Sequence, residues 1–197
     1  MRIPVKVAIT GTHSTGKSTF LNELESNLTS SGVIIGRIDD LARRARELGF
    51  PILQDHTYES TLWIMAEALR QEAVLSLSCD VILVDRPLSD AFGYLITALN
   101  SSDREIPRCQ LDELESMALK HSQSYDFLVA TVLDPSIALG DGRDSNLEFR
   151  RDTAETIAKQ LENWSLDHIQ LSPKNRDVCL KHLAEAIGAR LRTAAGL

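Results

Sequence analysis

The sequence has few aromatic residues, few cysteines and no long apolar run. Phe, Trp and Tyr make up 5% of its 197 residues, and three residues are cysteines. Cys79, Cys109 and Cys179 are scattered and form no C-x-x-C pair, which favours a reducing compartment over a disulfide framework. No apolar stretch approaches the ~20 residues that span a bilayer, and the stretch at residues 1–10 is too short for a signal peptide. We therefore expect a cytoplasmic protein with no membrane partner.

Positive charge is also scarce. The chain has 21 Lys and Arg against 28 Asp and Glu, a formal net charge of -7. Proteins that hold nucleic acids by counterion release need a basic surface. We therefore expect no nucleic-acid partner, and the scarcity of positive charge also disfavours a kinase that acts on polynucleotides. A chain of this length with 43% hydrophobic residues is expected to form one domain over residues 1–197. The composition leaves the oligomeric state open.

Short apolar runs alternate with stretches of helical period, which indicates βα units on a mostly parallel sheet. The apolar runs predict strands at residues 5–9, 33–35, 81–84, 127–132 and 168–171. Helical stripes predict helices at about 20–28, 41–48, 57–77, 111–118, 149–161 and 178–191. The polar stretches 100–108 and 139–146 are candidate mobile segments. We expect a three-layer α/β/α sandwich with a five-stranded, mostly parallel sheet.

A phosphate-binding loop lies between the first predicted strand and the first predicted helix. Residues 11–18 match G-x-x-x-x-G-K-[ST] without exception. Backbone N–H groups of such a loop converge on a β-phosphate at the positive end of the helix dipole. Lys17 supplies charge for the β- and γ-phosphates, and the Ser18 hydroxyl is placed to ligate Mg²⁺. We predict that the nucleotide is bound by Gly11, Thr12, His13, Ser14, Thr15, Gly16, Lys17, Ser18 and Thr19, with His13 on the loop surface rather than acting as a base.

The third predicted strand ends in Asp85, where a carboxylate would reach the magnesium site. Asp85 has several possible roles: it could hold Mg²⁺ directly or through water, or accept a proton from an attacking hydroxyl. An ATPase motor typically has a second acid at the next position, whereas Arg86 suits a phosphate or substrate oxygen. A capped turn after the strand is the purely structural alternative.

These features, in their order and spacing, resemble the P-loop nucleotide kinases. Within them, the sequence is most similar to the AAA-domain group typified by the nicotinamide-riboside kinase domain of bacterial NAD-biosynthesis regulators. The P-loop is the individually specific motif of this resemblance. The other landmarks are Asp40-Leu41-Ala42-Arg43, Gly49-Phe50-Pro51-Ile52, Trp63 to Ala73, Asp85-Arg86-Pro87-Leu88-Ser89-Asp90, Tyr125-Asp126-Phe127, Asp141-Gly142-Arg143 and Phe149-Arg150-Arg151.

The resemblance implies an acceptor site. Asp40 would face the phosphoryl acceptor as base or hydroxyl ligand, with Arg43 on the same helical face. The choice of base between Asp40 and Asp85 stays open, Asp39 is a further candidate, and either neighbouring acid could instead cap the following helix. Gln71, with Glu67 and Arg70, would present polar groups to a substrate base, although solvent exposure explains them equally well.

The resemblance also implies an arginine-bearing lid at about residues 139–151. Arg143, Arg150 and Arg151 look like lid arginines that close over a triphosphate. Since Arg150 and Arg151 are adjacent on a predicted helix, they point about 100° apart, and at most one faces the phosphates squarely.

Taken together, the sequence predicts an ATP- and Mg²⁺-dependent phosphotransferase that acts on a small molecule, most simply a nucleoside or nucleotide, with a nicotinamide riboside-like acceptor as one possibility. The absence of an Asn-Lys-x-Asp motif favours ATP over GTP. The alternative is a regulatory P-loop ATPase whose output is a conformational change on a partner.

Overall fold

The computed structural model describes residues 3–29, 32–39, 41–134 and 146–194. Within them, five strands form one parallel sheet in the order β2-β3-β1-β4-β5. The strands are β1 Val5–Thr10, β2 Ile35–Ile38, β3 Val81–Asp85, β4 Phe127–Thr131 and β5 Ile169–Leu171. The helices are α1 Lys17–Thr29, α2 Leu41–Glu47, α3 Tyr58–Leu75, α4 Leu88–Ser101, α5 Arg108–Ser122, α6 Leu147–Asn163 and α7 Arg176–Ala194, with a 3₁₀ turn at Leu53–Asp55.

Helices cover both faces of the sheet, which confirms the predicted three-layer architecture. Successive side chains of a strand point to opposite faces. In β1, Val7 and Ile9 therefore pack against α1 and α7, whereas Ala8 packs with helices α2 to α6 on the other face. Both faces of the sheet are apolar because parallel strands with helices on each side are buried on both faces.

The register of the three central strands determines where the site lies. Ile9 pairs with Asp85 on β3, and Thr10 pairs with Ala130 on β4. The carboxyl ends of β1, β3 and β4 therefore lie side by side. Ligands of open parallel sheets bind at this edge, where connections leave in opposite directions.

The second strand differs from its prediction. It runs from Ile35 to Ile38 rather than over 33–35, so it continues through a glycine and an arginine. Gly36 is needed because a Cβ there would lie 2.8 Å from Cys79 Sγ. Arg37 is tolerated because β2 is an edge strand, and its guanidinium pairs with Asp39 at 2.7 Å.

Helix α4 was not predicted by the sequence pattern. It is almost wholly enclosed between α3, α5 and α6, and its polar residues Ser89, Asp90 and Thr97 are buried together with the apolar ones. The predicted polar segment at 100–108 divides between the end of α4, a short connection and the start of α5. Among the described residues, no helix is both long and apolar enough to cross a membrane.

Candidate nucleotide-binding site

The P-loop connects β1 to α1 at the carboxyl edge of the sheet. Gly11 has φ 130° and Gly16 has φ 82°, both in the region that favours glycine. A Cβ on Gly11 would overlap Thr131 Oγ1 at the end of β4. Thr131 in turn donates to the Thr10 carbonyl at 3.0 Å and lies 2.8 Å from Thr15 Oγ1. The neighbouring strand thus supports the loop from one side.

Lys17 and Ser18 begin α1 and differ in their surroundings. The Lys17 side chain is buried and folds back over the loop, where Nζ donates to the Thr12 carbonyl and, at 3.3 Å, to Thr15 Oγ1. Ser18 Oγ donates to Asp85 Oδ2 at 2.6 Å. Thr19 is exposed in the same turn. The two residues that the sequence assigned to magnesium are therefore in direct contact.

The Ser18–Asp85 pair suits a hard cation. Asp85 is buried, and its second oxygen, Oδ1, has no hydrogen-bond partner among the described residues. A hydroxyl beside a carboxylate with an unused oxygen is the donor set that Mg²⁺ takes next to phosphates. The residues present thus fit magnesium, and Ser18 and Asp85 would hold it.

Arg86 follows Asp85 in a left-handed conformation, with φ 75°. Its Nη1 donates to the Gly11 carbonyl and to the Tyr94 hydroxyl, each at 3.2 Å, and lies 3.7 Å from Asp90 Oδ2. The guanidinium also lies over the Tyr94 ring, 5.4 Å from its centroid. The predicted substrate ligand is thus held against the P-loop by three protein groups.

Asp90 is a site residue that sequence reasoning missed. It lies in the first turn of α4, is 1% exposed, and accepts hydrogen bonds from Thr10 Oγ1 and, at 3.2 Å, from the Gly11 N–H. Burial raises the pKa of Asp90 to about 6, although Arg86, Lys17 and these two hydrogen bonds act in the opposite direction. One buried carboxylate therefore holds the first residues of the P-loop.

Tyr94, one turn further along α4, is the second missed residue. Its hydroxyl lies 3.3 Å from Thr12 Oγ1 and 3.4 Å from His13 Nδ1. His13 is 4% exposed, so its predicted position on the loop surface is wrong. The imidazole is enclosed because α4 and α6 pack over this side of the loop.

The lid arginines have different surroundings. Arg150, in the first turns of α6, is buried and donates from Nε to the His13 carbonyl at 3.1 Å and from Nη2 to the Ser14 carbonyl at 2.9 Å. Arg151 is exposed and pairs with Asp152 at 3.3 Å. Arg143 lies outside the described residues, as does most of the predicted lid.

On the acceptor side, Asp40 lies outside the described residues. Arg43 is exposed and pairs with Glu47 at 3.1 Å. Gln71 Nε2 donates to Glu67 Oε1 at 2.8 Å. Hydrogen bonds from Arg70 and Gln71 lower the pKa of Glu67 to about 2. The structure thus places Gln71 in a charged helical network with Glu67 and gives Arg43 a carboxylate partner on its own helix.

His56 is a buried histidine that lies beside Tyr94. Its ring centroid lies 5.9 Å from that of Tyr94, Nδ1 lies 3.3 Å from the Leu53 carbonyl, and Nε2 has no hydrogen-bond partner among the described residues. Burial lowers the pKa of His56 to about 4, and the charges of Arg104 and Arg86 act in the same direction. His56 is therefore neutral at physiological pH.

The parallel sheet, the glycine-bounded loop and the Lys17–Ser18–Asp85 arrangement define a P-loop nucleotide-binding fold. The chain belongs to an AAA domain family, whose model matches residues 6–177. No curated protein sequence matches the chain.

Two solved structures have the same fold. The crystal structure of a NadR protein in complex with NR superposes with a TM-score of 0.68 at 16% identity, covering 99% of this chain and 52% of that one. The chain thus spans about half the length of that NadR protein. A thymidylate kinase from Candida albicans, described as having broad substrate specificity, superposes with a TM-score of 0.67 at 15% identity, covering 96% and 93% of the two chains.

Proposed function

We propose that this protein is a kinase that transfers the γ-phosphate of ATP to a small-molecule acceptor, a nucleoside or nucleotide, with Mg²⁺. The observation that carries the proposal is the contact between Ser18 and Asp85 beside Lys17 at the mouth of the P-loop. Phosphoryl transfer needs positioning and charge neutralisation rather than covalent catalysis, and this group of residues supplies both.

Each residue has a defined task in this proposal. Backbone N–H groups of the P-loop bind the β-phosphate, and Lys17 leaves the Thr12 carbonyl to reach the β- and γ-phosphate oxygens. Ser18 and Asp85 would hold Mg²⁺, which would supply positive charge to the triphosphate. Asp85, or Asp40 on the acceptor side, accepts the proton of the attacking hydroxyl. Arg143 adds positive charge over the transferred group.

The surroundings of Asp85 favour a kinase over an ATPase motor. The position after Asp85 is occupied by Arg86, and the next acid along the chain, Asp90, accepts bonds from Thr10 and Gly11. Asp90 is therefore engaged with the loop and unsuited to activating water. The acceptor would take the place of that water.

The similar structures supply the acceptor panel. One is a NadR protein bound to NR and the other is a thymidylate kinase. Likeness at about 15% identity supports the fold and does not select an acceptor. Nicotinamide riboside, common nucleosides and nucleoside monophosphates should therefore all be tested. Product mass identifies which acceptor gains a phosphate.

The test is acceptor-dependent ADP release by the purified protein with ATP and Mg²⁺. Lys17→Ala should lower turnover at least about 100-fold because it deletes the cation of the loop. Lys159→Ala is the matched control, since Lys159 is exposed and pairs with Glu155 on α6. ADP release that is the same with and without every acceptor would instead identify a regulatory ATPase. Unchanged turnover in Lys17→Ala would refute the site.

A further inference from the structure

Arg150 contacts the P-loop from its outer side. The guanidinium makes two hydrogen bonds with successive backbone carbonyls, those of His13 and Ser14, at 3.1 and 2.9 Å. Its side chain is 4% exposed. A buried guanidinium with two backbone acceptors has a defined orientation, unlike a solvated arginine.

This contact affects the direction of the loop amides. In a trans peptide the carbonyl and the following N–H point to opposite sides. Holding the carbonyls of His13 and Ser14 outward therefore turns the N–H groups of Ser14 and Thr15 inward, which is the arrangement that binds anions. Ser14 also has φ 54°, a left-handed conformation that is unfavourable for a residue with a Cβ. The two hydrogen bonds from Arg150 help to hold the loop in this shape.

Helix α6 is anchored so that Arg150 can supply that contact. Asn146 caps the helix by accepting from the Phe149 N–H at 3.0 Å. Phe149 is buried, with its ring centroid 6.2 Å from that of Tyr94 on α4. The backbone that leads into Arg150 is therefore fixed to the core.

Charge adds a second effect. Within residues 3–29, 32–39, 41–134 and 146–194, no carboxylate lies within ion-pairing distance of Arg150, whereas Arg151 pairs with Asp152. A buried guanidinium behind the loop raises the local potential where a polyphosphate would bind.

We propose that Arg150 is a positioning residue of the nucleotide site, acting through the carbonyls of His13 and Ser14 and not through contact with the phosphates. The proposal rests on the proposed function, since it takes the P-loop to be the ATP site. It differs from the lid role expected from the sequence, in which Arg150 reaches over the triphosphate.

The two roles predict different nucleotide dependence. If Arg150 positions the loop that binds the β-phosphate, it strengthens the binding of ATP and ADP equally. If it contacts the γ-phosphate, it strengthens the binding of ATP alone. In Arg150→Lys the charge remains, but a single ammonium group cannot reproduce the planar two-carbonyl contact. We expect the Kd values of ATP and ADP, measured by calorimetry with Mg²⁺, to rise by the same factor, about tenfold. KM for ATP should rise similarly while kcat changes little.

Arg108→Lys is the matched control, because it makes the same substitution at an exposed arginine of α5 that pairs with Asp112, and it should leave both Kd values unaltered. Loss of ATP affinity with unchanged ADP affinity would overturn the proposal in favour of direct γ-phosphate contact. Lower thermal stability with unaltered Kd values would show a merely structural role. A wild-type protein that binds neither nucleotide overturns this proposal and the proposed function together, whereas wild-type binding that Arg150→Lys does not alter overturns this proposal alone.

A measurement on the wild-type chain covers the case in which Arg150→Lys does not fold. The Arg150 Nε–H resonance in nitrogen-15 NMR should be protected from solvent exchange without nucleotide and should shift equally with ADP and ATP. Free exchange, or a shift specific to ATP, contradicts the proposal.

Discussion

At the level of single residues, Asp85 has one carboxylate oxygen on Ser18 and a second that has no hydrogen-bond partner in the part of the chain that the structure describes. If both oxygens serve magnesium, Asp85→Asn should raise the Mg²⁺ concentration for half-maximal turnover by at least about tenfold, because the amide has no charge to offer the ion. A magnesium titration at saturating ATP measures this shift.

The control for Asp85 is Asp177→Asn, which removes a carboxylate whose side chain is 98% exposed. Its magnesium requirement should match that of the wild type. If Asp85→Asn instead loses turnover at every Mg²⁺ concentration while ATP binding keeps its usual magnesium dependence, then Asp85 is the proton acceptor rather than a metal ligand.

The raised pKa of Asp90 predicts an acid limb in the pH profile of kcat/KM, that is, a fall in kcat/KM as the pH decreases. The wild-type kcat/KM should fall as the pH drops through about 6, because burial raises the pKa of Asp90 to about 6 and protonation weakens its bonds from Thr10 and Gly11. The charges facing it are those of Arg86 and Lys17. In Asp90→Asn this limb should disappear, with lower activity at pH 7.5.

The nucleotide also titrates near neutral pH, so both proteins are compared with the same substrates. A limb that comes from ATP persists in Asp90→Asn, whereas one that comes from Asp90 does not. An unchanged limb in the variant would assign it to the substrate and remove Asp90 from the explanation.

These residues also show which site residues can be recognised in a sequence. The P-loop is a contiguous motif whose chemistry depends on its own backbone, so it is visible locally. Asp90, Tyr94 and Arg150 contact it from 79 to 137 positions away along the chain, and only folding brings them to it. Asp90 belongs to the 85–90 landmark of the resemblance, which gave it no role of its own. Its position next to the mainly apolar stretch 91–99, where an unpaired charge would be unfavourable, was a further signal.

At the level of elements, α4 shows where periodicity fails. Helices α1, α3 and α7 each bury one face, so their apolar stripes predicted them to within a few residues. The Thr57 capping box confirms the predicted start of α3. In helix α4 most residues are buried, the polar Ser89, Asp90 and Thr97 included, and Gly93 in its middle is typical of a helix breaker.

Gly93 is required by packing between α4 and α6. A Cβ there would lie 2.7 Å from Ile157 Cγ1. We expect Gly93→Ala to lower the free energy of unfolding by about 1–2 kcal/mol, since overpacking outweighs the better helix propensity of alanine. Urea unfolding measures the change.

A second substitution removes Ile157 Cγ1, the atom that the added Cβ of Gly93→Ala would contact. Ile157→Ala alone should lower the free energy of unfolding by about 2–5 kcal/mol, because Ile157 is buried. Combined with Gly93→Ala, the total loss should be smaller than the sum of the two separate losses, because the added methyl group then has room. Simple additivity would mean that the contact with Ile157 does not require glycine at this position.

At the level of the whole molecule, two buried groups near the site make opposite contributions to stability as the pH changes. Burial lowers the pKa of His56 to about 4, so its contribution is complete above its ordinary pKa of about 6.5 and is lost as the pH falls. Burial raises the pKa of Asp90 to about 6, so its contribution is present below its ordinary pKa of about 4 and is lost as the pH rises through 6. Between pH 4 and 6 the two contributions partly cancel.

Removing either side chain should therefore reveal the pH-dependent contribution of the other to the free energy of unfolding. From pH 7.5 to pH 5, Asp90→Asn should lose about 1 kcal/mol more unfolding free energy than the wild type, because only the His56 contribution remains. His56→Asn, whose amide can still donate to the Leu53 carbonyl, should lose about 2 kcal/mol less. Urea unfolding of the three proteins at both pH values measures these differences, and groups common to all three cancel in the comparison. If both variants change in parallel with the wild type, neither side chain is held in the protonation state that its burial implies.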